Sequence, residues 1–520
     1  MELKVIYKNA RCVVLELAGG GCYETETAWT IYLNDQEAVR TSHVITSLYD
    51  LKPDTQYKVE AVNERGDSLM TYFSTDYEYV TLNVRDFGAR GNGQDDDTLF
   101  IQAAIMACPK HSRVLIPEGT YRITTLFLKD DVSVELGKGA VLSAITDRSK
   151  FPVYPGMIQS YDEKDEYNLG TWEGNPLPMF TGIITGVNVN RAVLYGQGII
   201  DGNAGFGEDN WWYQAKVMRG AFRPRMIFLK GCSQIVVQGI TVRNSPSWNI
   251  HPYFSDDLRF LDLKVLNPKD SPNTDGLDPE SCRRVEIIGV YFSLGDDCIA
   301  VKSGKIYMGS TYKRPCEDIV IRQCCMRDGH GSITIGSEMA GGVKNLTVRD
   351  CRFLHTDRGL RIKTRRGRGK DAIIEGILFE QIQMDHVLTP FVINCFYFCD
   401  PDGHSEYVRS KEAGPVDDRL PQIRTLTFRN IKATNCHVAA AYFYGLPEQK
   451  IEQVEMEHVR ITYAKEPKEG QPAMMEGCDE HTCLSGIYAN NIKKLVLRDV
   501  EILGQRGEPV VAENIDQLER

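Results

Sequence analysis

Four short polar motifs follow one another through the second half of this chain. They are Asn273-Thr274-Asp275, Gly295-Asp296-Asp297, Gly329-His330-Gly331 and Arg361-Ile362-Lys363. Three carboxylates and an imidazole can hold and move protons, and an arginine with a lysine can grip a negative charge. The gaps are 21 residues from Asp275 to Asp296, 33 from Asp297 to His330 and 31 from His330 to Arg361. If each gap is one coil of a winding sheet, the motifs stack on one face. Carboxylates gathered that closely cannot all ionise freely, so at least one pKa should rise and yield an acid and a base from identical side chains. Asp296 and Asp297 would face opposite ways in a straight strand, and Gly295 is expected to allow a bend that turns both outward. Arg361 and Lys363, two apart on a strand, share a face.

The elements that must position these residues form a repeat. Ile235-Val236-Val237-Gln238-Gly239-Ile240 aligns with six-residue segments beginning at Leu258, Val285, Ile319, Leu346, Ile377, Leu426, Val454 and Leu495. Positions one, three and six are apolar, so one face is buried. Position five is Gly, Asp, Gln, Asn or His, and the break in alternation there turns a corner. Most intervals run from 23 to 34 residues, one coil each. This pattern predicts an all-β fold, a right-handed parallel β-helix over residues 77–520. A leucine-rich solenoid is opposed by the β-branched strands and the missing helical segments.

Residues 1–76 read as a small β-sandwich with alternating strands at sandwich spacing. The turn Leu51-Lys52-Pro53-Asp54-Thr55-Gln56-Tyr57 resembles that of a fibronectin type III domain. Such modules are usually spacers or binding surfaces, so no catalysis is assigned to this one. Asp95-Asp96-Asp97-Thr98 is expected to cap a helix whose apolar face is Ile101, Ala104, Ile105 and Ala107-Cys108, stopped by Pro109. Long insertions at 152–178, 201–225, 399–420 and 465–483 are expected to wall one end of a groove. They carry Tyr154, Tyr161, Tyr167 and Trp172 in the first, and Trp211-Trp212-Tyr213 in the second.

The net charge of −11 argues against nucleic acid, which needs a basic footprint. It does not exclude an anionic substrate, because the basic run from Arg361 to Lys370 can act locally. The 15 cysteines are scattered, without metal spacing, and read as small buried hydrophobes in a reducing compartment. No leader-like segment and no run of bilayer length is visible. A cytoplasmic protein without cofactor or metal is the expectation, with oligomeric state left open.

The ordered motif set resembles family 28 of the glycoside hydrolases, the polygalacturonase family, over roughly residues 80–505. Each tripeptide is weak alone, whereas the four in order on a repeat background are specific. The Asp86-Phe87-Gly88-Ala89 start also resembles the cap of pectin-degrading β-helix proteins. The resemblance implies an inverting hydrolase of α-1,4-galacturonosidic bonds. It implies Asp296 as general acid, Asp275 and Asp297 as the water-activating pair, and His330 as the residue that tunes the acid. It implies Arg361 and Lys363 as a clamp on the substrate carboxylate, and Tyr397 near the reacting sugar. His251, one interval before Asp275, is expected to line the cleft. Trp211 and Trp212 are candidates for stacking on sugar, with packing as the alternative. Exo action is the expectation. Alternatives are a rhamnogalacturonan-type hydrolase, a Ca-dependent pectate lyase, and a β-helix that only binds polysaccharide.

Overall fold

The computed structural model describes residues 1–157, 166–215, 222–399, 401–475 and 481–520. Tyr161 lies outside the described residues. The first unit has two antiparallel sheets. Glu2–Lys8, Val13–Ala18 and Ile45–Leu48 form one; Gln36–His43, Glu24–Leu33, Gln56–Asn63 and Ser68–Ser74 form the other. Their inward residues, among them Val13, Leu15, Trp29, Ile31, Val59 and Ala61, make a separate core. The Tyr57 hydroxyl accepts the backbone N–H of Lys52 at 2.9 Å, which fixes the corner that the Leu-x-Pro-x-Thr-x-Tyr segment turns.

A parallel β-helix follows. Ile235, Leu258, Val285, Ile319, Leu346, Ile377, Leu426, Val454 and Leu495 pair each with the next across the coils. The first position of every repeat is therefore in register with the first position of its neighbour. Position five is left-handed in all nine copies, from Asp499 at φ +50° to Gly239 at +77°. That explains the residue types found there, since Gly adopts this region freely and Asn and Asp tolerate it. The ladder also extends upstream of the sequence repeat, through Arg113–Ile116, Ser133–Leu136 and Val193–Gly196. Thr98–Ala107 is helical, with Ile101, Ala104 and Ile105 buried. Asp96 accepts the Thr98 N–H, while Asp97 turns back to accept those of Arg90 and Gly91, so only the former caps the helix.

The sandwich docks on position-five corners. An ideal Cβ on Gly239 would meet the Tyr49 hydroxyl at 1.9 Å, and one on Gly289 would meet Cβ of Ile45 at 2.7 Å. Val14, Val44 and Ile45 pack on Leu261 and Ile288. Gln238 Nε2 donates to both Ser47 Oγ and Tyr49 Oη at 2.8 Å.

A second ladder positions the polar motifs. Ile250, Leu277, Ile299, Ile333, Leu360 and Phe391 pair in succession. Asp275, Asp297 and Gly331 each lie two residues before a member of this row, and Asp296 and His330 three before.

Candidate active site

One carboxylate oxygen from each of Asp275, Asp296 and Asp297 lies within 4.8 Å of the other two. Asp275 and Asp297 form the buried floor, while His330, 53% exposed, stands at the mouth. The coil register does this work. Asp275 and Asp297 hold equivalent places on neighbouring coils, and His330 takes in its own coil the place of Asp296. Gly295 is needed for room and not for a bend: its φ is not left-handed, and a Cβ would sit 2.5 Å from the Ser271 carbonyl oxygen. A Cβ on Gly331 would lie 2.3 Å from Thr334 Oγ1 and 2.9 Å from Asp297 Oδ1.

The environments of the three carboxylates push them apart. Arg361 Nη1 donates to Asp297 Oδ1 at 3.1 Å and Lys363 Nζ donates to Oδ2 at 2.8 Å. Burial opposes its ionisation, but the two cations outweigh it and hold Asp297 far below the usual carboxylate range. Asp275 has the opposite fate. Burial, then the nearby charges of Asp278 and Asp296, push it well above that range. His330 Nδ1 lies 3.2 Å from Asp296 Oδ1. This bond raises His330. Burial opposes ionisation of Asp296 as well, but the bond to His330, its charge and that on Lys363 outweigh it, so Asp296 is held below the usual carboxylate value. Of the three carboxylates, Asp275 is the one whose surroundings favour the protonated form.

Tyr397 packs beside the clamp, its ring 5.5 Å from Lys363 Nζ and 6.0 Å from Arg361 Cζ, and its hydroxyl donates to Cys399 Sγ at 2.8 Å. His251 does not reach the cleft surface. It is fully buried, its Nε2 lies 2.9 Å from Glu280 Oε2, and its ring stands edge-on to Trp248. Trp211 and Trp212 take the packing alternative. Both are buried, Trp211 meets Phe151 and Phe180 edge-on under Arg148, and Trp212 Nε1 donates to the Ser245 carbonyl, so neither offers a face to a sugar.

Sequence reasoning missed the charged layer under the floor. Lys302 Nζ is buried 3.0 Å from Glu338 Oε2, 3.9 Å from Asp278 Oδ2 and 4.0 Å from Asp275 Oδ2. Burial raises Glu280 to about 8 and Asp278 well above the carboxylate range, whereas Lys302 and other cations overcome burial and hold Glu338 low. The signal was register: Glu280, Lys302 and Gly336 share one row with Lys363. Three clustered carboxylates are also a donor set for a hard cation, but both oxygens of Asp297 are already engaged by Arg361 and Lys363.

Clustered carboxylates in unlike surroundings on one face of a parallel β-helix are the groups that glycoside hydrolysis requires. The family model "Glycosyl hydrolases family 28" matches residues 144–480. A probable polygalacturonase of Vitis vinifera is 30% identical over 409 residues, spanning 75% of this chain and 77% of that protein. A polygalacturonase of Prunus persica is 26% identical over 411 residues, spanning 77% and 91%. The solved family 28 exopolygalacturonase of Yersinia enterocolitica superposes with a TM-score of 0.72 at 18% identity, over 99% of this chain and 98% of that one. A hyperthermoactive exopolygalacturonase of Thermotoga maritima gives 0.62 at 24%, over 83% and 94%. The chain belongs to family 28 of the glycosyl hydrolases.

Proposed function

We propose that this enzyme hydrolyses α-1,4-galacturonosidic bonds from a chain end, with inversion. The observation that carries the reading is the pairing of an acid held by His330 with a carboxylate clamped by two cations. Asp296 gives its proton to the departing glycosidic oxygen. A water lodged against Asp275 and Asp297 attacks the anomeric carbon from the other face, and Asp297 takes its proton. The substrate carboxylate engages the remaining donors of Arg361 and Lys363. Sharing those cations weakens what holds Asp296 ionised, so the proton of the His330–Asp296 pair moves onto Asp296 as the sugar binds.

The nearest oxygens of the three carboxylates approach within 4.8 Å, a closest contact and not the carboxyl-to-carboxyl separation that distinguishes inverting from retaining enzymes. Spacing therefore does not choose the stereochemistry. Inversion is the stereochemistry that the resemblance of the four ordered motifs to family 28 implies.

Exo action is supported by two insertions that flank the clamp. On one side Gly174 accepts the Lys305 N–H at 3.1 Å, close over Glu338, and Trp172 stacks on Trp248 at 4.6 Å. On the other, the Met474 carbonyl accepts from Asn394 Nδ2 at 2.9 Å, and Met474 Sδ faces Arg361. Such walls turn a groove into a pocket. A time course on polygalacturonate tests this. Mono- or digalacturonate should accumulate from the start, and an early spread of oligomers would contradict exo action. We read residues 1–76 as a fibronectin type III-like spacer, on the Tyr57 corner. We place the enzyme in the cytoplasm, on the fourteen described cysteines that stand as free thiols.

A further inference from the structure

Beside the catalytic cleft, three histidines climb the solenoid. Leu354 pairs with Asp385 and Asp385 with Thr434, so His355 and His386 hold equivalent places on neighbouring coils, and His437 lies two residues past the next. Their rings meet edge to face, His355 to His386 at 5.0 Å and His386 to His437 at 5.6 Å. They line a cavity of about 740 Å³ together with Lys269, Lys465 and Lys468. The acids on its wall are Asp357 and Glu466. Asp357 on its wall ties the cavity to the catalytic coils. Ile333 pairs with Leu360, so Asp357 answers to His330 on the next coil, and its N–H donates to the Gly329 carbonyl at 3.0 Å.

The chemistry of the wall selects an anion. Lys465 and Lys468 face Asp357 and Glu466, Lys269 is paired with Asp328, and the three imidazoles tip the wall toward an anion. Asp385 is spoken for, since its Oδ1 accepts from Thr434 Oγ1 at 2.9 Å and Asn435 Nδ2 at 2.7 Å. Asp328 lies 3.6 Å from Lys269 and 3.5 Å from Arg327. His386 Nδ1 stands 3.6 Å from Asp385 Oδ1, too far for a hydrogen bond, and has no partner. His437 Nδ1 accepts the Lys468 N–H at 3.2 Å, which leaves Nε2–H as its donor. A metal cage is not what this wall builds: among the described residues the aspartate trio is the one place where three ligand atoms converge.

We propose that the His355–His386–His437 wall is an accessory subsite for the carboxylate of a second galacturonate unit, beyond the unit held by Arg361 and Lys363. This rests on the galacturonide reading above. Burial, then the charges of His386 and Arg327, hold His355 below the ordinary histidine value. Burial, then His386 and Lys468, do the same to His437. His355 and His437 therefore gain imidazolium charge only on the acid side of the ordinary histidine value.

The test is steady-state kinetics on tri- and digalacturonate near pH 5 and near pH 8. The full chain is compared with a His355→Gln/His386→Gln variant and a variant of the two exposed lysines, Lys465→Gln/Lys468→Gln. The histidine variant should raise KM for trigalacturonate about three- to ten-fold near pH 5 and leave it unchanged near pH 8, with kcat held. The lysine variant, on surface residues that cannot unfold the helix, should raise KM at both pH values. A histidine variant that matches wild type near pH 5, or loses equally at both, would overturn the subsite, as would a lysine variant without effect. Absence of any turnover of galacturonides by wild type would instead sink the proposed function, and this subsite with it.

Discussion

Asp275, Asp296 and Asp297 share a side chain and differ in what surrounds it, and the surroundings assign the work. His330 is the residue whose titration should show. The proposed acid needs the proton that His330 and Asp296 hold between them. The bond to Asp296 raises His330, so activity should be full below its pKa and fall as pH rises through a value above that of an ordinary histidine. A pH profile of kcat/KM should show that alkaline limb in wild type and lose it in His330→Asn. A limb that survives unchanged in the variant would assign it to another group. The layer below makes a stability prediction. Removing Lys302 leaves Asp275, Asp278 and Glu338 buried without their shared cation. Lys302→Met should cost about 3–5 kcal/mol in urea unfolding, and Lys302→Met/Glu338→Leu should recover part of it. Equal stability of Lys302→Met and wild type would show that the layer is neutralised by protonation instead.

At the scale of elements, the corner at position five is the most telling feature. The residue types there predicted a turn, and each copy is left-handed. Gly239 goes further, because its missing Cβ is the seat of Tyr49. Gly239→Ala should loosen the sandwich and cost about 1–3 kcal/mol, from the unfavourable φ and the displaced hydroxyl together. Limited proteolysis between residues 74 and 81 should speed up in that variant, and an unchanged rate would argue that Tyr49 is not a docking anchor. The strand repeat was legible because position one and position three alternate with polar residues. The coils at Arg113, Ser133 and Val193 were not, because the insertions at 152–178 and 201–225 break the period that makes the others visible. Lys302, Asp278 and Glu280 were hidden for a different reason. Alternation treats a charged residue as facing solvent, and here a loop covers the face. Trp211 and Trp212 were ambiguous by composition, since aromatic rings suit a sugar and a core equally well, and only the ring partners Phe151 and Phe180 decide.

Over the whole molecule, one solenoid supplies a floor of carboxylates, two flanking insertions and a histidine wall, with the sandwich docked on other corners. No helix among the described residues is long and apolar enough to cross a membrane. Register makes distant motifs neighbours, since residues 21 to 33 apart in sequence meet across single coils. The central claim is that this arrangement hydrolyses a galacturonide by direct attack of water. The most direct measurement is proton NMR of trigalacturonate during its first minutes with the enzyme. The account predicts that the newly formed reducing end appears as the β anomer before mutarotation, with no unsaturated sugar, and that Asp296→Asn abolishes the signal. First appearance of the α anomer, or of an unsaturated product that requires Ca²⁺, would contradict it.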